Sequence, residues 1–197
     1  MTYVETVPED EATGPVAEMY DTDRGVFGYL PNFARAFSAR PGVYAAWRAL
    51  NGAVKANMDP RRYELATLAA ARELRSSYCA LAHGSVLLDR DLASPEDVIA
   101  VATGGPAPAL DETDRAVAEV AAKVARDATG VTADDVERLR GLGLKDDEIV
   151  DVVLAAAVRC FFSKTLDALG AEPDARYAAL APDVRDALTV GRPIAAS

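Results

Sequence analysis

The chain has 197 residues, enough for one domain with its own apolar core, or at most two small ones, without disulfide staples. Half of it is hydrophobic, the formal net charge is -10 and the pI is about 4.6. Such a surface repels nucleic acid and anionic membranes. Abundant alanine with few aromatics favours helix over sheet.

Met1 to Asp10 carries acids and none of the basic or apolar stretches of a signal peptide. Thr13 to Tyr20 reads as a short helix, followed by a Gly/Pro loop over Gly25 to Asn32. Phe33 to Ala39 is a second short helix that stops at Arg40-Pro41. Gly42 to Ala56 is longer, with Val43, Trp47, Leu50 and Val54 at helical spacing. Asp59-Pro60, a good N-cap followed by the residue best suited to the first turn, opens a helix that runs to about Leu74. Ser76 or Ser77 caps the next, which ends near Leu88. Ser94-Pro95-Glu96-Asp97 opens a helix to about Thr103, and Gly104 to Pro108 is a linker. Asp111–Asp127, Thr132–Leu139 and Asp146–Leu169 are three further helices, the last closed by Gly170. A final helix follows Glu172-Pro173, and the tail from Gly191 is expected to fray. No run reaches membrane-span length; the longest apolar one is Val152 to Val158. The expected architecture is all-α, one domain over 1–197 with its core over about 11–173 and a C-terminal helix and tail over 174–197.

A faint internal repeat accompanies this pattern. Met58 to Leu92 and Leu110 to Leu144 are both separated by 34 residues, and each pair is followed by an acidic helix start. The second copy sets Ala116 opposite Glu64, Val131 opposite Cys79 and Asp135 opposite His83, so only the first half keeps chemistry.

That chemistry centres on Ser76-Ser77-Tyr78-Cys79-Ala80-Leu81-Ala82-His83, which holds the one histidine and one of the two cysteines. Cys79 and His83 share a helix face. Cys79 lies in the first turn, where the helix dipole favours a thiolate, and His83 can take its proton. Glu64 lies one helix earlier, near its start; if the two helices pack antiparallel that end lies far from Cys79, and Glu64 reaches the site only if the Leu74 to Ser77 turn makes a wide crossing or a neighbouring subunit helps. A lone cysteine in a helix is commonly a small buried apolar residue, and Glu64 could be a solvated first-turn acid. A metal site on Cys79, His83 and Glu64 lacks a fourth ligand, and no cofactor motif is present. The two distant cysteines fit a reducing cytoplasm, as free or redox-active thiols.

Glu64, eleven residues, then Ser76-x-x-Cys79-x-x-x-His83 resembles the signature of the carboxymuconolactone decarboxylase and AhpD-like alkylhydroperoxidase superfamily. In that signature Cys-x-x-Cys-x-x-x-His follows the glutamate. Tyr63-Glu64-Leu65, Ala82-His83-Gly84, Gly28-Tyr29-Leu30-Pro31-Asn32, Arg40-Pro41 and the Phe161-Phe162 to Gly170 segment strengthen the likeness, the later ones to its peroxidase-related branch. The resemblance implies an AhpD-like helical bundle assembled as trimers or hexamers. It implies Cys79 as the residue that attacks peroxide and His83 and Glu64 as members of its proton relay. Ser76 stands where the resolving cysteine belongs. An oxidised Cys79 then needs an external thiol, or Cys160 if the fold brings it close. Three functions follow as expectations: a one-cysteine peroxidase acting on a small-molecule peroxide; a non-redox lyase or isomerase using His83 and Glu64 on a small organic acid; or a helical sensor or interaction protein with a redox-sensitive thiol.

Overall fold

The computed structural model describes residues 2–107 and 109–196; Met1, Pro108 at the end of the expected linker, and Ser197 lie outside them. The described residues form ten α-helices and three 3₁₀ turns, with no strand. The helices are α1 (Gly14–Phe27), α2 (Asn32–Ala36), α3 (Pro41–Asn57), α4 (Pro60–Glu73), α5 (Ser77–Asp89), α6 (Pro95–Thr103), α7 (Glu112–Asp127), α8 (Ala133–Gly141), α9 (Asp146–Leu169) and α10 (Pro182–Leu188). None is long and apolar enough to cross a membrane.

Local chemistry sets most boundaries. The Asp59 side chain accepts the Arg62 backbone N–H at 3.1 Å, Ser94 that of Asp97 at 3.1 Å and Asp111 that of Asp114 at 2.7 Å, each satisfying an orphan donor of a first turn. Gly170, at φ 76°, closes α9 in the left-handed region that favours glycine.

Three expectations need correction. The first helix continues through Gly25 to Phe27 and ends only where Gly28 takes φ 78°; one glycine inside a helix costs about 1 kcal/mol and does not by itself break it. The final helix that follows Glu172-Pro173 begins later than those residues suggest. Asp174 is drawn inward to accept hydrogen bonds from Tyr29 Oη, Tyr78 Oη and the Asn32 backbone N–H. The chain then makes only a 3₁₀ turn, Ala175–Ala179, before Pro182 opens α10. The tail beyond Gly191 is bonded rather than frayed. Gly191 N–H donates to Ser77 Oγ at 2.7 Å, Arg192 Nη2 to the Asp167 carbonyl at 2.7 Å, and Ala195 N–H to the Pro173 carbonyl at 2.9 Å. Gly191 lies so close to the chain that a Cβ there would stand 1.9 Å from the Arg75 carbonyl oxygen.

α4 is the axis of the molecule. Every residue from Tyr63 to Ala71 is buried, because α5, α6, α7 and α9 all pack against it. Its alanines allow this crowding. Ala66 and Ala70 meet Ala116, Val117, Val120 and Ala121 of α7 in one core, which α8 and α9 complete. Leu65, Leu68 and Ala69 join α1, α2, α3, α5, α6 and α10 in the larger one. Arg75, at φ 54°, makes the tight turn from α4 into α5, so the two helices return as an antiparallel hairpin.

Candidate active site

That hairpin positions the site. A turn centred on Arg75 brings the start of α4 alongside the middle of α5, so Glu64 meets His83. Glu64 Oε2 lies 2.5 Å from His83 Nδ1. The expected separation of Glu64 from Cys79 is therefore no obstacle, because the carboxylate has only to reach the imidazole, one turn beyond the thiol. Glu64 Oε1 accepts from Lys55 Nζ at 2.8 Å, so both carboxylate oxygens are satisfied although Glu64 is only 1% exposed.

Burial pushes the Glu64 carboxyl up. His83 and Lys55 on its two oxygens outweigh that, bringing it down to about 2. Burial, followed by the positive charge of Arg159, lowers the His83 imidazole below its ordinary value. At neutral pH Glu64 is thus a carboxylate and His83 is neutral. Because a carboxylate can only accept, Nδ1 carries the imidazole proton. Nε2, which has no partner among the described residues, is left as the free base.

The sulfur of Cys79 has a partner that sequence order conceals. Arg159 Nη1, from α9, approaches Sγ at 3.4 Å. Arg159 is buried, with no carboxylate in ion-pair distance among the described residues. The guanidinium therefore stands as a ready counter-ion for a thiolate. No hydrogen bond joins Sγ to His83.

Cys79, His83, Glu64, Lys55 and Arg159 open onto one cavity of about 290 Å³ between α3, α4, α5 and α9. Its remaining walls are ring-rich: Phe27, Phe33, Tyr44, Trp47, Tyr63, Tyr78 and Phe162. Trp47 and Phe162 stack with centroids 3.9 Å apart and planes at 14°. Tyr63 donates to Asn51 Oδ1 at 2.8 Å and carries Lys55 Nζ over its ring at 4.8 Å.

Of the four residues expected from the sequence, the structure gathers three, Glu64, Cys79 and His83. Ser76 does not line the cavity. It is the N-cap residue of α5, fully buried, and its hydroxyl makes no cap bond; its charged neighbour is Asp167. Cys160 also lies off the cavity, on the next position of α9 from Arg159, and burial raises its thiol. Both cysteines are free. No group of three or more His, Cys, Asp or Glu suited to a metal ion occurs among the described residues. Lys55 and Arg159 were not among the expected site residues. Lys55 gives no signal in sequence, whereas Arg159, a lone cation inside the apolar stretch from Val152 to Phe162, is the kind of interruption that marks a buried charge.

Residues 41–123 match the model of the carboxymuconolactone decarboxylase family. No curated protein matches the chain. Among solved structures, the chain resembles an uncharacterized peroxidase-related protein from Ralstonia eutropha JMP134, described as an alkylhydroperoxidase AhpD core. The TM-score is 0.80 at 20% identity, over 89% of this chain and 94% of that one. A peroxidase-related protein from Silicibacter sp. TM1040 aligns with a TM-score of 0.75 at 18% identity, over 89% and 91%. The debrominase Bmp8, solved in complex with 2,3,4-tribromopyrrole with a cysteine replaced by alanine, aligns with 0.74 at 14%, over 95% and 98%. At these identities the likeness is one of fold.

Proposed function

We propose that the chain, whose residues 41–123 match the carboxymuconolactone decarboxylase family and whose fold is that of AhpD-like peroxidase-related proteins, is a thiol-dependent peroxidase working through Cys79 alone. The observation that carries this reading is the sulfur beside a carboxylate-free guanidinium, in a cavity that also holds a neutral imidazole oriented by a buried carboxylate. His83 Nε2 takes the thiol proton within the cavity while Arg159 holds the thiolate. The sulfur attacks the distal oxygen of a hydroperoxide; the S–O bond forms as O–O breaks. The leaving alkoxide takes the proton from the imidazolium, giving an alcohol and a Cys79 sulfenic acid. Glu64 supports the charged imidazole, and Lys55 holds Glu64.

With serine at position 76 and Cys160 off the cavity, reduction falls to an external thiol. One equivalent forms a mixed disulfide and releases water; a second releases the disulfide and restores the thiol. The ring-lined walls and the debrominase neighbour favour a second reading, in which the Cys79 thiolate takes a halogen from an aromatic ring, S–X forming as C–X breaks and the imidazolium proton replacing the halogen on carbon. One external thiol then releases halide as a mixed disulfide forms, and a second restores the Cys79 thiol.

Turnover of tert-butyl hydroperoxide with dithiothreitol tests the first reading. It should vanish in Cys79→Ser and fall in His83→Ala. Halide release from a bromoaromatic without peroxide turnover would select the second. Turnover of a small organic acid that survives Cys79→Ser but not Glu64→Gln would replace both with acid–base chemistry.

A further inference from the structure

Three cationic side chains line the Cys79 cavity, and two are matched. Lys55 is paired with Glu64 at 2.8 Å and Arg48 with Asp23 at 2.6 Å. Arg159 is the exception among the described residues. It is 3% exposed, bonds the sulfur through Nη1, and its Nε has no hydrogen-bond partner. A buried cation without a matching anion is costly, and a buried donor left unmade adds to that cost. A thiolate at Cys79 compensates the Nη1 side and leaves Nε unmatched. A second cavity residue repeats the pattern: Trp47 Nε1 is buried and without a partner, although its ring is fixed by stacking on Phe162.

Size and wall chemistry narrow the complement. An apolar cavity of about 150 Å³ takes benzene, and a water molecule occupies about 30 Å³. A cavity of about 290 Å³ is too roomy to hold hydrogen peroxide in place and has room for one substituted ring. Flat aromatic walls favour a ring that can stack or meet them edge-on.

We propose that the Cys79 cavity binds molecules built on one aromatic ring carrying an anionic oxygen group, with the ring between the aromatic walls and the anion on Arg159. This rests on the thiol-dependent reading in one respect, that the Cys79 cavity is the substrate site. The reacting member of the class is then a hydroperoxide or peroxy acid of such a ring, and the unreactive arenecarboxylate is its binding analogue.

The sole tryptophan of the chain lines the cavity, so its fluorescence reports occupancy. The measurement uses the full chain carrying Cys79→Ser, which removes redox chemistry and keeps the cavity. Benzoate, benzamide and cyclohexanecarboxylate are titrated in turn. The expected result is saturable benzoate binding, weaker by about tenfold or more for benzamide, which lacks the charge, and weaker by several-fold for cyclohexanecarboxylate, which lacks the flat ring. Arg159→Met should bring benzoate down to the benzamide level while leaving benzamide unchanged.

Equal binding of benzoate and benzamide, equal binding of benzoate and cyclohexanecarboxylate, or no saturable benzoate signal each overturns the proposal. Failure of the peroxidase reading shows separately, as benzoate binding by a protein whose wild-type form reduces no peroxide. Peroxide reduction without benzoate binding leaves the peroxidase and removes the ligand class.

Discussion

The α4–α5 and α7–α8 helix pairs follow the same spacing in the chain and have opposite contents. In the first, Glu64 occupies a buried face of α4 and meets His83 across the hairpin. In the second, the matching position is Ala116, fully buried against Ala66 and Ala70 of α4. The residue matching His83 is Asp135, which turns outward to bond Lys123 at 2.6 Å and cap Thr132. The residue matching Cys79 is Val131, beyond the end of a 3₁₀ turn rather than in the first turn of a helix. Two helices at this spacing make a scaffold. A site appears only where one buried carboxylate is balanced by an imidazole and an ammonium, and where aromatic side chains hold the neighbouring helices apart. In the second pair the matching interior is filled by small residues, Ala66 and Ala70 of α4 packing on Ala116, Val117, Val120 and Ala121 of α7.

Substitutions at matched positions test this contrast. The largest effect is expected from Cys79→Ser, which should reduce peroxide turnover to the uncatalysed background, whereas Val131→Ser should leave it unchanged; an equal loss in both would erase the distinction.

Next comes Arg159→Met. Turnover should fall by roughly 10²-fold, the typical loss when one preorganised charge-stabilising donor is removed. Thermal stability should hold or rise, because an apolar side chain of similar length replaces a buried cation that has no carboxylate partner. A stable protein with full activity would remove Arg159 from the site.

Glu64→Gln should slow turnover by about 10–100-fold through loss of the oriented base. Asp135→Asn should leave kinetics intact and cost about 1 kcal/mol or less of stability through its weakened cap.

The smallest effect is a slope. Both Glu64 and His83 have lower pKa values folded than unfolded, so the unfolded chain binds more protons and stability rises with pH. Their contribution is complete above the ordinary histidine value of about 6.5. It is lost as pH falls, first through His83 and then from about 4.5 toward about 2 through Glu64. Chemical unfolding midpoints between pH 7 and pH 3 should therefore decline, and less steeply in Glu64→Gln.

Much of this was legible in the chain. Asp59-Pro60, Ser94-Pro95 and Gly170 mark helix ends through local hydrogen bonds and backbone preference, which depend on near neighbours only. Cys79 and His83 were legible for the same reason, being one turn apart on one helix. The Glu64–His83 contact depends on the Arg75 turn, whose positive φ no sequence signal announces in a non-glycine residue. Arg159 is 80 residues from Cys79 and reaches it only through the packing of α9 on α4 and α5. The bonded tail is not legible because a terminal segment is expected to fray, whereas in the fold the missing Cβ of Gly191 permits close approach to Arg75. Ser76 was read for the cysteine it replaces, and the structure turns it away from the cavity.

The proposed peroxidase chemistry requires that Cys79 react with peroxide and keep no resolving partner of its own. Intact-mass measurement after one equivalent of tert-butyl hydroperoxide, with and without added thiol, tests it most directly. The expected result is rapid gain of one oxygen at Cys79, persistence of that adduct without thiol, and its removal when thiol is added. An unmodified Cys79, or spontaneous conversion to an intramolecular disulfide with Cys160, would contradict it.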